Sequence, residues 1–99
     1  MAPLLTADLV FYSPEEGGYA SPQRPGWGCI CCTRRIPKGS VIEGVDGWPQ
    51  LEAPLSPGDH RRVGFVFLTS GEEGAQVLRR AGKFYLWDGR YVGEATVVS

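Results

Sequence analysis

Lys83-Phe84-Tyr85-Leu86-Trp87-Asp88-Gly89-Arg90-Tyr91-Val92-Gly93-Glu94-Ala95-Thr96-Val97-Val98 is the stretch whose reading decides the fold. Aromatic and β-branched residues suit a half-buried pleated surface, and here they stand on both sides of Asp88-Gly89. Asp-Gly accepts the positive φ angles of a two-residue primed turn, whose twist matches that of the strands it joins. The segment therefore reads as a hairpin. A hairpin alone is marginal in water, so the remaining chain must supply strands to cover its apolar face.

Working outward from it, Glu72 to Gly82 is the one segment with helical signals. Acids open it, Arg79 and Arg80 close it, Gly82 follows as a C-cap, and Gly74 limits it to a short helix or a single turn. Before it, Arg61 to Thr69 alternates Val63, Phe65 and Phe67 with Gly64, Val66 and Leu68; both faces are apolar, which predicts a strand through the middle of the core. Leu55-Ser56-Pro57-Gly58-Asp59 is a turn by its chemistry. Gly44 to Pro49 reads as a break, Gln50 to Glu52 as a brief pairing, and Val41 to Glu43 as a short strand after the Ile36 to Ser40 turn. Trp27 to Thr33 is another strand. Glu15 to Gly26, rich in Gly and Pro, predicts a long surface loop of the kind that carries function. Ala7 to Tyr12 is the first strand.

These segments amount to about six strands with no βαβ alternation. The chain of 99 residues, with 14 Gly and 8 Pro, is expected to be a single all-β domain over residues 1–99, curled into a small antiparallel barrel or sandwich. Closure would also remove exposed strand edges. Ten Lys and Arg against 11 Asp and Glu give no overall field to draw in nucleic acid or an anionic membrane. The first residues lack a basic and apolar leader, and no run approaches membrane-spanning length, so the expectation is a cytoplasmic protein with no membrane partner. Three cysteines within four positions are an odd set that fits a reducing compartment.

The order of motifs resembles the C-terminal (third) β-barrel domain of elongation factor Tu and related translational GTPases. Glu15-Glu16-Gly17-Gly18 after the first strand is similar to that family's acid-Gly-Gly loop, Gly26-Trp27 to its Gly-aromatic start of the second strand, Pro57-Gly58-Asp59 to its Pro-Gly-Asp turn, and Gly89-Arg90-Tyr91-Val92-Gly93 to its closing hairpin. The resemblance implies a six-stranded antiparallel barrel, and the chain is expected to carry it as a free-standing domain. It does not carry GTP binding, because no G-x-x-x-x-G-K-[ST] loop occurs in the chain. In the family this barrel touches the T arm of transfer RNA partly through an Arg-Pro-Gln in the second strand; that tripeptide is missing here, and Arg90 alone keeps the family's charge among the matched positions.

Cys29, Cys31 and Cys32 offer thiolates, but strand alternation lets only Cys29 and Cys31 converge, and the single His60 has no spacing that ties it to them. They read as small hydrophobes rather than metal ligands or a catalytic pair with His60. Glu15-Glu16 and Glu72-Glu73 read as solvated pairs rather than a general acid and base. No catalytic residue, metal or cofactor is expected, and the chain reads as a non-enzymatic binding module. Its first expected partner is a protein, met by the loop and nearby aromatics through Tyr19, Arg24, Trp27 and Trp48. The alternative is RNA, possibly translation-associated, held by basic clusters through Arg34, Arg35, Arg61, Arg62 and Arg90 with aromatics as stacking platforms.

Overall fold

A computed structural model describes residues 2–99. In chain order the elements are β1 (Leu5–Phe11), a 3-10 turn (Pro14–Glu16), β2 (Cys29–Cys32), β3 (Val45–Pro49), β4 (His60–Val66), α1 (Gly71–Ala81), β5 (Lys83–Trp87) and β6 (Tyr91–Val97). All the strand pairs are antiparallel. Around the ring the order β1-β4-β3-β2-β5-β6 closes on itself. The protein is an all-β, closed, six-stranded barrel with one helix attached.

Period-two patterning puts one face of each strand into the lumen. Along β1, Leu5, Ala7, Leu9 and Phe11 are buried while Asp8 between them is exposed. Opposite them Val63 and Phe65 of β4, Phe84 and Leu86 of β5, and Val92 and Ala95 of β6 complete the core, with Phe67 just past β4. Phe65 lies at its centre, edge-on to Phe84 at 5.3 Å and stacked on Phe67 at 6.2 Å.

Each end of the barrel has its own lid. At the end where β1 begins, α1 places Ala75 and Leu78 fully into the core, and Arg79 donates from Nη2 to the Leu4 carbonyl at 2.6 Å. The helix is the short one of the two expected forms, 11 residues long, and Gly74 does not cut it to a single turn. A Cβ at Gly74 would stand 2.9 Å from the Ser70 Cβ and 3.5 Å from the Val45 Cβ, so the glycine lets the helix settle on the barrel. As its acids, bases and Gly82 predict, the helix stops at Gly82, whose φ is 77° and whose N–H bonds the Leu78 carbonyl at 3.0 Å.

Four local expectations are corrected. Val41 to Glu43 is not a strand, whereas Val45–Pro49, read as a break, is β3. Gly47 faces inward there, and a Cβ on it would lie 2.6 Å from the Cys31 sulfur and 3.1 Å from the Phe67 ring; the glycine is a packing requirement and not a chain reversal. Gln50 to Glu52 lies outside the strands, although the Gln50 N–H bonds the Gly64 carbonyl at 2.8 Å. The closing hairpin pairs Trp87 with Tyr91 and leaves Asp88, Gly89 and Arg90 in the loop. Only Gly89 of these has a positive φ, 75°, so a three-residue loop replaces the expected two-residue primed turn.

Candidate functional site

The loop from Ser13 to Gly28 closes the second end of the barrel, and two of the residues expected to meet a partner are used for that closure. Phe11, Tyr19 and Trp27 form a triangle of rings 5.4 to 6.1 Å apart, with Tyr19 and Trp27 packed against the core. The Trp27 indole N–H donates to the Tyr19 hydroxyl at 3.1 Å, which donates to Asp88 Oδ2. Arg90 donates from Nε to the Gly17 carbonyl at 2.7 Å and from Nη2 to that of Gly18 at 3.2 Å. Glu-Gly-Gly, Gly-Trp and Asp-Gly-Arg, three of the four stations of the sequence resemblance, are thus latched together at one end of the barrel. Pro57-Gly58-Asp59 joins them at the end of β1, where the Gly58 N–H bonds the Phe11 carbonyl at 2.8 Å.

Burial and then the hydrogen bond to the Asp88 carboxylate push the Tyr19 hydroxyl up to about 12. A raised phenol pKa means that the fold holds the proton more tightly than the unfolded chain does. The contribution of this latch is therefore complete below about pH 10, where a free tyrosine titrates, and is lost as pH rises toward 12. Tyr19→Phe keeps the ring and removes both hydrogen bonds. It should cost about 1–2 kcal/mol at neutral pH and flatten the loss of stability between pH 10 and 12; denaturant titrations at pH 7, 10 and 11.5 check both.

The basic residues considered for RNA fall into two groups: Arg61 and Arg62 line grooves beside β4, while Arg35 shares one groove with Arg34 and another with Arg90. Arg62 pairs with Asp8 at 2.7 Å, and Arg61 donates to the Ala53 and Pro54 carbonyls at 2.9 and 3.0 Å and to Asp59 at 3.2 Å; both are on β4. Arg35 follows β2, and its guanidinium lies 5.0, 5.6 and 6.0 Å from the ring centres of Tyr91, Tyr12 and Tyr85. This aromatic cluster has no local signal in the sequence, because Tyr12 follows β1, Tyr85 and Tyr91 belong to the closing hairpin, and both segments lie far along the chain from Arg35. Arg90 is spent on the loop carbonyls. Arg34 is exposed and lines the open groove of the β2–β3 connection. Arg24 is exposed at the tip of the long loop.

Trp48 takes a different position, on the outside of the barrel. Register places Ile30 of β2 beside both Asp46 of β3 and Trp87 of β5, and Trp48 lies two residues beyond Asp46 on the same face. Trp48 also pairs with Val66 of β4. Its ring lies over Gly28, where a Cβ would meet the Trp48 Cδ1 at 2.6 Å. Ile30, Trp48 and Trp87 are all half-buried, forming an apolar outer face across β3, β2 and β5 flanked by exposed Asp46 and Asp88. Sequence reasoning missed Trp87 as a neighbour of this face, because only the strand order brings β5 next to β2.

Cys29 and Cys31 converge as alternation predicts, at the inner side of β2. A hydrogen bond between their sulfurs, then burial, pushes the Cys29 thiol well up, and the carboxylates of Asp88 and Asp46 add to the effect. Burial raises Cys32 as well. Held as thiols, Cys29 and Cys32 are poor nucleophiles and poor ligands. Among the described residues no three of His, Cys, Asp or Glu are grouped to hold a metal ion, and no helix is long and apolar enough to cross a membrane. Comparison with models of known protein families and with curated protein sequences found no match for this chain.

Proposed function

We propose that the chain is a non-catalytic binding module, a barrel of the elongation factor Tu C-terminal type, that docks a protein on the outer face of β3, β2 and β5. The single observation that carries the reading is the row of Trp48, Ile30 and Trp87 on the outside of a barrel whose lumen is already filled. Tryptophan is among the residues most enriched where binding energy concentrates. Two half-buried indoles on one sheet face do not serve the core. The loop aromatics Tyr19 and Trp27 support the module by closing the barrel, so the docking face moves from the loop to the sheet beside it. The relation to the translation-factor barrel is supported by the closed six-stranded ring and by four motifs in order. RNA binding draws less support, since Arg35, Arg61, Arg62 and Arg90 are engaged within the chain.

The test is affinity capture with the wild type and with a Trp48→Ala/Trp87→Ala double variant, compared partner by partner. Removal of two central aromatic anchors is worth about 2 kcal/mol or more at a binding hot spot, so the specific partner should fall more than about tenfold. Tyr19→Phe should retain it. Recovery of the same proteins in the same yield by the double variant would take the docking face away from these residues.

A further inference from the structure

Between Trp48 and Trp87 the outer face carries a shallow, open groove of about 360 Å³, lined also by Gly28, Cys29, Ile30, Asp46 and Asp88. Its chemistry is one-sided. Indole faces carry negative potential, and both carboxylates act together on the Cys29 thiol beneath them. The ion pairs of the described residues engage Asp59, Asp8, Glu72 and Glu94, leaving Asp46 and Asp88 without a counter-charge. Asp88 accepts a hydrogen bond from Tyr19 through Oδ2. Asp46 stands exposed beside Trp48, open to a ligand from outside.

Resting on the docking face proposed above, the geometry points to an arginine side chain of the partner protein as the occupant of this groove. A guanidinium is planar, weakly hydrated and always charged; it stacks on an indole while its fork of N–H groups meets a carboxylate. The groove is lined by both, the indoles of Trp48 and Trp87 and the carboxylates of Asp46 and Asp88. An apolar side chain would leave two acids facing it uncompensated, and an acidic one would be repelled. An ammonium would satisfy a carboxylate as a point charge without matching the flat walls.

The experiment is a titration of the full chain, ¹⁵N-labelled, with N-acetyl-arginine amide, followed by the indole N–H signals of its three tryptophans. Trp48 and Trp87 should shift in a saturable way, and Trp27, whose indole N–H reaches Asp88 only through the Tyr19 hydroxyl, should shift less. N-acetyl-citrulline amide, which has the same shape without the charge, should produce no saturable shift. N-acetyl-lysine amide should bind about tenfold more weakly. Asp46→Asn, at an exposed position that leaves the Tyr19 latch intact, should weaken arginine binding by about tenfold. Stationary Trp48 and Trp87 signals, equal binding of citrulline or lysine, or an unchanged Asp46→Asn variant would each overturn the arginine assignment. If the double tryptophan variant loses its captured partner while Asp46→Asn keeps it, the docking face stands and the arginine does not; if neither loses it, the face itself falls.

Discussion

Phe65→Ala should destabilise the barrel by about 3–5 kcal/mol, a fall of roughly 12 °C or more in melting temperature at about 4–8 °C per kcal/mol for a domain of this size. The ring is wholly buried and touches Phe67 and Phe84 in the middle of the lumen. The cost of an empty space depends on how far its walls can move in. Here they cannot move far, because Phe65 is paired to Leu5 on one side and to Pro49 on the other within a closed ring. Leu68→Ala, three residues later, should change stability by no more than about 0.5 kcal/mol, since Leu68 is 62% exposed. Parallel thermal and urea melts of the two variants are the measurement. Equal losses at the two positions would mean that the barrel has no packed inside of the kind described.

The same contrast marks how far local sequence reaches. Val63, Phe65 and Phe67 against Gly64, Val66 and Leu68 are apolar on both faces, and alternation alone separates the two sets. Which set faces in is decided by the pairing of β4 with β1, a contact that no short window of sequence contains. The barrel lids meet the same limit. An aromatic residue in a Gly- and Pro-rich loop is equally suited to a partner or to the open end of its own barrel. Tyr19 goes to the second use, packed on Phe11 and bonded to Asp88, an acceptor 69 positions away that no local window contains. Gly47 and Pro49 read as punctuation, since their local chemistry is that of a turn; the steric need of Cys31 and Phe67 for a missing side chain has no local signal. Trp48 is legible as a candidate contact residue from its type, whereas its place beside Trp87 depends on β2 and β5 being neighbours.

The long loop provides the second large effect, through Gly18→Ala. A Cβ on Gly18 would stand 2.6 Å from the carbonyl carbon of Tyr12 and 2.9 Å from the carbonyl oxygen of Ser13. Both are backbone atoms, so no rotamer change relieves the clash, and the chain must separate there. What holds it is local: the Gly18 N–H bonds the Ser13 carbonyl at 2.9 Å, and Arg90 grips the Gly17 and Gly18 carbonyls. Lifting the loop surrenders those bonds and unseats Tyr19, at a cost of about 3 kcal/mol, the upper end for overpacking. The loss should be concentrated in one region. Amides from residues 17 to 28 should exchange faster, and the Tyr19 hydroxyl, no longer buried against Asp88, should titrate nearer pH 10 than 12 in an ultraviolet titration. Gly26→Ala is the matched comparison, because Gly26 has a φ of 100° and nothing within 4 Å of its missing Cβ. It should cost only the left-handed backbone penalty of about 1–2 kcal/mol and leave Tyr19 unchanged. If the two alanine variants are equally damaging and shift Tyr19 alike, the close approach of Gly18 to Tyr12 is not what seats the loop.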